Sequence, residues 1–331
     1  MASSTHTAVL GAGSWGTAVA NVLADAGQPV WVWGRDPAVA DALNTQHENP
    51  KYLAAHPLNH GVRGSTDLAA TLAASHRVVC AIPTQQIRSV FTPIAHVLNG
   101  KPVVNVSKGI EVGTHKRVSE IFHELCPRSA YFILSGPSFA EEVVRRLPSA
   151  VTIAGTEKDA VREIQSSFRT PYFRAYGSQD VVGVELAGAL KNVVAIASGV
   201  VSGLGLGYNS QAALINRGIV EIRRIGQAQG AESLTFLGLA GMGDLILTCT
   251  GPLSRNRKVG ELLAKGNSLA AIQKDLGGVA EGVFTAKSAY DLRGTLELPI
   301  LEQVYKILYE GHSPKQAVRA LMDRDLRDEW E

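Results

Sequence analysis

The chain has 331 residues, 45% of them hydrophobic and 19% charged, the profile of a globular protein with room for about two domains. Its 32 Lys plus Arg stand against 30 Asp plus Glu, so the net charge of +2 gives no reason to expect nucleic acid or an anionic membrane, and any anion site must be local. Three cysteines, Cys80, Cys126 and Cys249, are far apart and lack metal-ligand spacing, which argues against a disulfide framework or a metal and suits a reducing, cytoplasmic setting.

No basic segment followed by an apolar one opens the chain, so no signal peptide is expected. Residues 7–10 read as a short apolar strand, 11–16 (GAGSWG) as a glycine turn, and 17–26 as a helix of small residues that stops at Gly27. With a second strand at 29–33 this makes a βαβ unit of roughly thirty residues, the context that gives a G-x-G-x-x-G turn its meaning as a dinucleotide fingerprint. Gly11 then makes the turn, Gly13 lets a pyrophosphate approach the backbone, and Gly16 lets helix and strand pack closely. Ser14 and Trp15 fall at the helix N-terminus, beside the phosphates. At the end of the second strand, Asp36 suits a ribose 2′-hydroxyl, whereas Arg35 suits a 2′-phosphate or is a solvated loop residue. Dual use of NAD and NADP, leaning to NADP, is the expectation.

Residues 47–53 (HENPKYL) read as a polar surface loop, with Tyr52 the one candidate for the cofactor's surroundings. Alternation then resumes: a strand at 77–83, a helical stretch at 84–98, and further strands at 102–109, at 131–140, from Ala150 and around 172–176. This pattern predicts a doubly wound parallel sheet with helices on its faces, a Rossmann-type α/β domain over residues 1–180. Ligands bind beyond the carboxyl ends of such strands, which places Lys108 where cofactor and substrate would meet. Gly136 and Ser138, in the GPS turn, fall at the same edge. That turn is common in its own right.

From 181 onward the strand signals vanish and helices follow, predicting an all-α second domain over 181–331. Its first helix, 181–203, is almost wholly apolar except for Glu185 and the pair Lys191-Asn192. The charge-free part, 193–207, is shorter than the ~18 residues a membrane span needs, so the helix is expected at the centre of the fold. A lysine among such neighbours must snorkel, pair, or face a polar cleft. Residues 238–260 join five glycines, Asp244 and Thr248 to the block Ser254-Arg255-Asn256, which reads as an anion-binding turn or as a capped, solvated helix start. Glu281 is a helix-cap carboxylate or an acceptor for the cofactor.

Taken in order, GAGSWG, AIPTQQIR, SKGIE, SGPSFAEEV, VELAGALKNVVAIASG, GLAGMGDLILTCT, SRN and VAEGVFT resemble the bacterial-type NAD(P)-dependent glycerol-3-phosphate dehydrogenases over residues 7 to about 290. The resemblance implies Lys191 as catalytic acid/base, and Lys108, Gly136, Ser138, Asp244, Ser254, Arg255 and Asn256 as the rest of the glycerol phosphate site. It implies Ser14, Trp15, Arg35, Lys108, Ala140, Arg255, Val279 and Glu281 for the cofactor, and a role in supplying phospholipid precursors. Dihydroxyacetone phosphate is then the substrate, with no nucleic acid, no membrane span and no metal. The apolar helix faces of the second half fit a homodimer. The rival readings are a related dehydrogenase of 3-hydroxy acids or ketopantoate, and a non-catalytic NADPH sensor.

Overall fold

A computed structural model describes residues 6–276, 280–326, 328 and 329. Eight strands form one sheet: β1 His6–Leu10, β2 Val30–Trp33, β3 Val62–Ser65, β4 Ser75–Cys80, β5 Val103–Asn105, β6 Tyr131–Ser135, β7 Ser149–Ala154 and β8 Phe173–Ser178. Their order is β3-β2-β1-β4-β5-β6-β7-β8. The chain order reverses between β1 and β4, so the crevice of a doubly wound sheet opens there.

The expected parallel sheet holds for six strands. β7 runs antiparallel to β6, and β8 is parallel to β7. Hydrophobic alternation shows that a segment is a strand, and leaves its direction to the connection before it. Both faces are covered, as a largely parallel sheet requires. Val9, Val79 and Val104 enter one core, while Ala8, Leu10, Val78, Cys80 and Val103 enter the other, the two-residue period of the pleat.

Beyond Ser178 the described residues contain no further strand. The helix Val181–Gly203 begins on Asp180, whose carboxylate accepts from Gly183 N at 2.8 Å and also from Glu232 N and Thr235 Oγ1. This central helix is long and apolar enough to cross a membrane, but 83% of its most apolar window is buried inside the protein, so neighbouring helices already cover the surface that lipid would touch. The helix Arg255–Ala264 crosses it backbone to backbone. A Cβ on Gly199 would lie 1.9 Å from Arg257 O, and one on Gly260 1.9 Å from Ile196 O, so neither position admits a side chain without moving a helix.

Glu185 explains the other charge on the central helix. It is buried, and accepts from Ser119 N at 2.8 Å, Ser119 Oγ at 2.5 Å, Tyr131 Oη at 2.6 Å and Arg117 at 3.2 Å. Burial pushes its carboxyl up, against the pull of those donors. These bonds rivet the central helix to the sheet half, since Tyr131 opens β6.

Candidate active site

The glycine turn follows β1 and meets the end of β4. Gly11 has φ +118°, in the region where only glycine is comfortable, and a Cβ there would also strike Ala81 O at 2.5 Å. A Cβ on Gly16 would lie 1.9 Å from Gly11 O, so the helix Ser14–Asp25 closes on the turn behind it. A Cβ on Gly13 would meet nothing within 4 Å. An open face at Gly13 between two filled ones leaves the backbone accessible at the N-terminus of a twelve-residue helix, which fits a pyrophosphate.

Around the turn, Trp15 Nε1 donates to Val106 O at 3.2 Å, and Ser14 Oγ donates to Tyr52 O at 2.9 Å. The 47–53 segment is therefore not a plain surface loop. Asn49 is fully buried and donates to Ala12 O and Thr17 Oγ1, which fastens the loop across the turn. Asp36 caps the helix Pro37–Thr45 through Ala38 N at 3.1 Å and pairs with Lys51 at 2.8 Å, while Arg35 is exposed.

The second centre lies where three chain segments meet. Lys191, on the central helix, is 6% exposed and donates to Asp244 Oδ1 at 2.6 Å and Thr248 Oγ1 at 2.7 Å. Lys108, just beyond β5, donates to the other carboxylate oxygen, Oδ2, at 2.6 Å and to Gly136 O at 3.3 Å. Asp244 is 1% exposed and begins the helix Asp244–Thr250, directly after a π-helical turn, Leu239–Gly243. Such π turns frequently mark functional positions, and this one delivers a carboxylate between two lysines.

Electrostatics follow from the geometry. Burial lowers Lys191 to about 8, Asp244 pulls it back up and Lys108 pushes it further down. Burial alone would raise the Asp244 carboxyl, but its two lysines hold it below the ordinary value. Two cations against one anion leave the cluster with one net positive charge while both lysines are protonated.

The SRN block divides its roles. Ser254 Oγ caps its helix by accepting from Arg257 N at 3.2 Å. Asn256 is buried, donates to Asn192 Oδ1 at 2.9 Å, and accepts from Gly282 N at 3.0 Å. Arg255 is exposed, and no ion pair engages it among the described residues. Ser138 Oγ donates to Gly136 O at 2.8 Å, and Ala140 opens the short helix Ala140–Val144.

Glu281 bonds across to the sheet half and does not cap its own helix. It begins the helix Glu281–Leu292, its Oε1 accepts from Thr84 N at 2.8 Å beyond β4, and its buried Oε2 has no partner. Burial raises its carboxyl to about 7, with Thr84 N opposing. Val279 lies outside the described residues.

Residues 6–161 match the NAD-dependent glycerol-3-phosphate dehydrogenase N-terminus family, and residues 180–319 match the corresponding C-terminus family. A glycerol-3-phosphate dehydrogenase, NAD(P)+, of Geobacter sp. (strain M21) is 47% identical over 328 residues, covering 97% of this chain and 98% of its own. The chain belongs to the NAD-dependent glycerol-3-phosphate dehydrogenase family. A member from Myxococcus xanthus (strain DK1622) is 48% identical over 327 residues, with 97% and 98% covered. The crystal structure of the Coxiella burnetii glycerol-3-phosphate dehydrogenase superposes with a TM-score of 0.92 at 35% identity, covering 97% of this chain and 100% of that one.

Within this family fold, three contributors escaped the sequence reading as site residues. Thr248 was named only as part of the 238–260 stretch, and its place one turn after Asp244 brings its hydroxyl to Lys191. Asn192 adjoins Lys191 and holds Asn256, while Thr84 lends Glu281 its amide. No local pattern marks a residue whose partner lies far off in the chain.

Proposed function

We infer that this chain reversibly interconverts dihydroxyacetone phosphate and sn-glycerol 3-phosphate with NAD or NADP, producing the glycerol backbone of phospholipids. The observation that carries the reading is the buried pairing of Lys191 and Lys108 on the two oxygens of Asp244, at the ligand edge of a nucleotide-type sheet. The bound coenzyme supplies or accepts hydride. All other tasks fall to the protein.

An ammonium has three donors, and Asp244 and Thr248 hold two of those on Lys191. The third remains for the C2 oxygen of the substrate. In reduction, Lys191 gives a proton to that oxygen as negative charge develops on it; in oxidation, the neutral amine removes the proton from the hydroxyl. The net positive charge of the cluster favours the alkoxide-like transition state before any proton moves. Arg255 and the start of its helix anchor the phosphate, so binding energy at a group that does not react positions the one that does. Gly136, Ser138, Ser254 and Asn256 shape the wall of this site.

Residues 1–180 hold the coenzyme, through the glycine turn, Ser14, Trp15, Arg35 and Ala140, with Glu281 reaching in from the helical half, and residues 181–331 supply most of the substrate site. Exposed Arg35, with Asp36 already engaged, supports a preference for NADP. Leu234 and Leu237, 77% and 63% exposed, give the helical half an apolar surface on which a second copy can pack. Three free, buried thiols fit a cytoplasmic enzyme.

The test is oxidation of NADPH offered with dihydroxyacetone phosphate and then with ketopantoate. Only the first should turn over. Because Lys191 must be protonated for reduction and neutral for oxidation, kcat/KM for reduction should fall as pH rises through about 8, and that for glycerol 3-phosphate oxidation should rise through the same value. Turnover of ketopantoate alone, or of neither compound, would end this reading.

A further inference from the structure

Away from the lysine cluster, a cavity of about 830 Å³ runs beside β8, walled by Arg162, Arg169, Arg174, Ser166 and Thr170 among others. A second depression of about 290 Å³ adjoins it, sharing Arg162 and Gln165 and adding Lys158. Four cations therefore line a trench made of these two adjoining depressions, and no lining residue of either part is acidic. In a chain with nearly equal numbers of cations and anions, such a local excess has to be explained.

Two structural explanations account for parts of it. β8 is the last strand of the sheet, and a charge such as Arg174 guards an open edge against pairing with another chain. Arg169 follows the C-terminus of the helix Lys158–Ser167, where a cation suits the helix dipole. Neither covers Lys158 or Arg162, which lie on the helix, nor the gathering of all four around two adjoining depressions. The trench cations are also weakly engaged. Arg162 meets only the highly exposed Asp159, at 3.1 Å, Arg174 lies over the Tyr176 ring at 5.1 Å, and Arg169 has no ion pair among the described residues.

We propose that this trench is a second anion site, which binds a phosphate-bearing ligand independently of the catalytic crevice. Planar guanidinium groups match phosphate oxygens in pairs, and Thr170 Oγ1, which accepts from Phe173 N at 2.9 Å, keeps a proton to donate. The volume is that of a site for a small molecule, large enough for a diphosphate or a lipid headgroup. Those two sources share the phosphate and differ in whether a membrane carries it.

Inorganic pyrophosphate titrated calorimetrically into the full-length protein, the R169A/R174A double variant and R255A tests the proposal. A binding component should weaken at least about ten-fold in the double variant and persist in R255A. Both variants should keep the wild-type melting temperature, which separates lost contacts from lost fold. Cosedimentation with phosphatidylglycerol vesicles, against phosphatidylcholine vesicles, identifies the source: retention that the double variant loses assigns the site to a headgroup, and titration without retention assigns it to a soluble phosphate. Two results would overturn the proposal: no binding of pyrophosphate or vesicles by the wild type, or binding that R255A abolishes and the double variant leaves intact.

Discussion

The glycine turn after β1 and the lysine cluster on the central helix occupy the same edge of one sheet, yet they are built in opposite ways. The first works by what is missing. Side chains are absent from Gly11, Gly13 and Gly16, two of these positions because the backbone fills the space and one because nothing does. The second works by what is added: a carboxylate and two ammonium groups held in a volume from which water is nearly excluded. A site made of backbone is fixed by a few consecutive residues and carries no ionisable group of its own. A site made of buried charges depends on segments brought together by the whole fold, and its proton affinity follows from that packing.

This contrast predicts separable failures. The largest should come from K191A, which removes the proton donor and leaves the turn untouched: kcat should fall by roughly 10²- to 10⁴-fold, while the Kd for NADPH, measured by fluorescence, changes by less than about two-fold. Comparable loss of coenzyme binding would mean that the two sites are one. The converse variant is G16A. Its methyl group has nowhere to go except into Gly11 O, so the turn or the helix must shift, at a cost of about 1–3 kcal/mol. Thermal unfolding should register that cost and coenzyme binding should weaken about ten-fold or more, but the inflection near pH 8 should stay where the lysine cluster sets it. Movement of that inflection in G16A would break the comparison.

The same contrast explains what could be read from the amino-acid order. A glycine turn between a strand and a helix is a local pattern, so Gly11, Gly13 and Gly16 were visible as soon as the flanking elements were. Lys191 and Asp244 are 53 positions apart, and Lys108 and Asp244 are 136 apart. Residue types alone left them as a lysine needing a reason and an acid beside glycines. Resemblance to a family joined them, without saying which oxygen each lysine takes or that Thr248 completes the set. Asn49 shows the limit from the other side. In a stretch as polar as HENPKYL nothing distinguishes an exposed amide from a buried one, and only the fold reveals that it ties Ala12 and Thr17 together. Likewise only the fold reveals that Ser254 Oγ accepts from Arg257 N and caps its helix, a bond that leaves the hydroxyl proton for a ligand.

Arg35 should give the smallest effect, because it lies at the rim of the backbone-built site and faces solvent. Its neighbour Asp36 already accepts from Ala38 N and pairs with Lys51, so a 2′-phosphate there would meet a carboxylate whose charge is partly answered. An exposed guanidinium beside a phosphate is screened by salt, and R35A should accordingly raise the KM for NADPH by only about three- to ten-fold at low ionic strength and less at high. The KM for NADH should stay unchanged, since that coenzyme has no 2′-phosphate. Equal rises for both coenzymes would show instead that Arg35 stacks on the adenine they share. In that case the preference between them would rest on Asp36 and Lys51, and the loop that Asn49 fastens would be the place to change it.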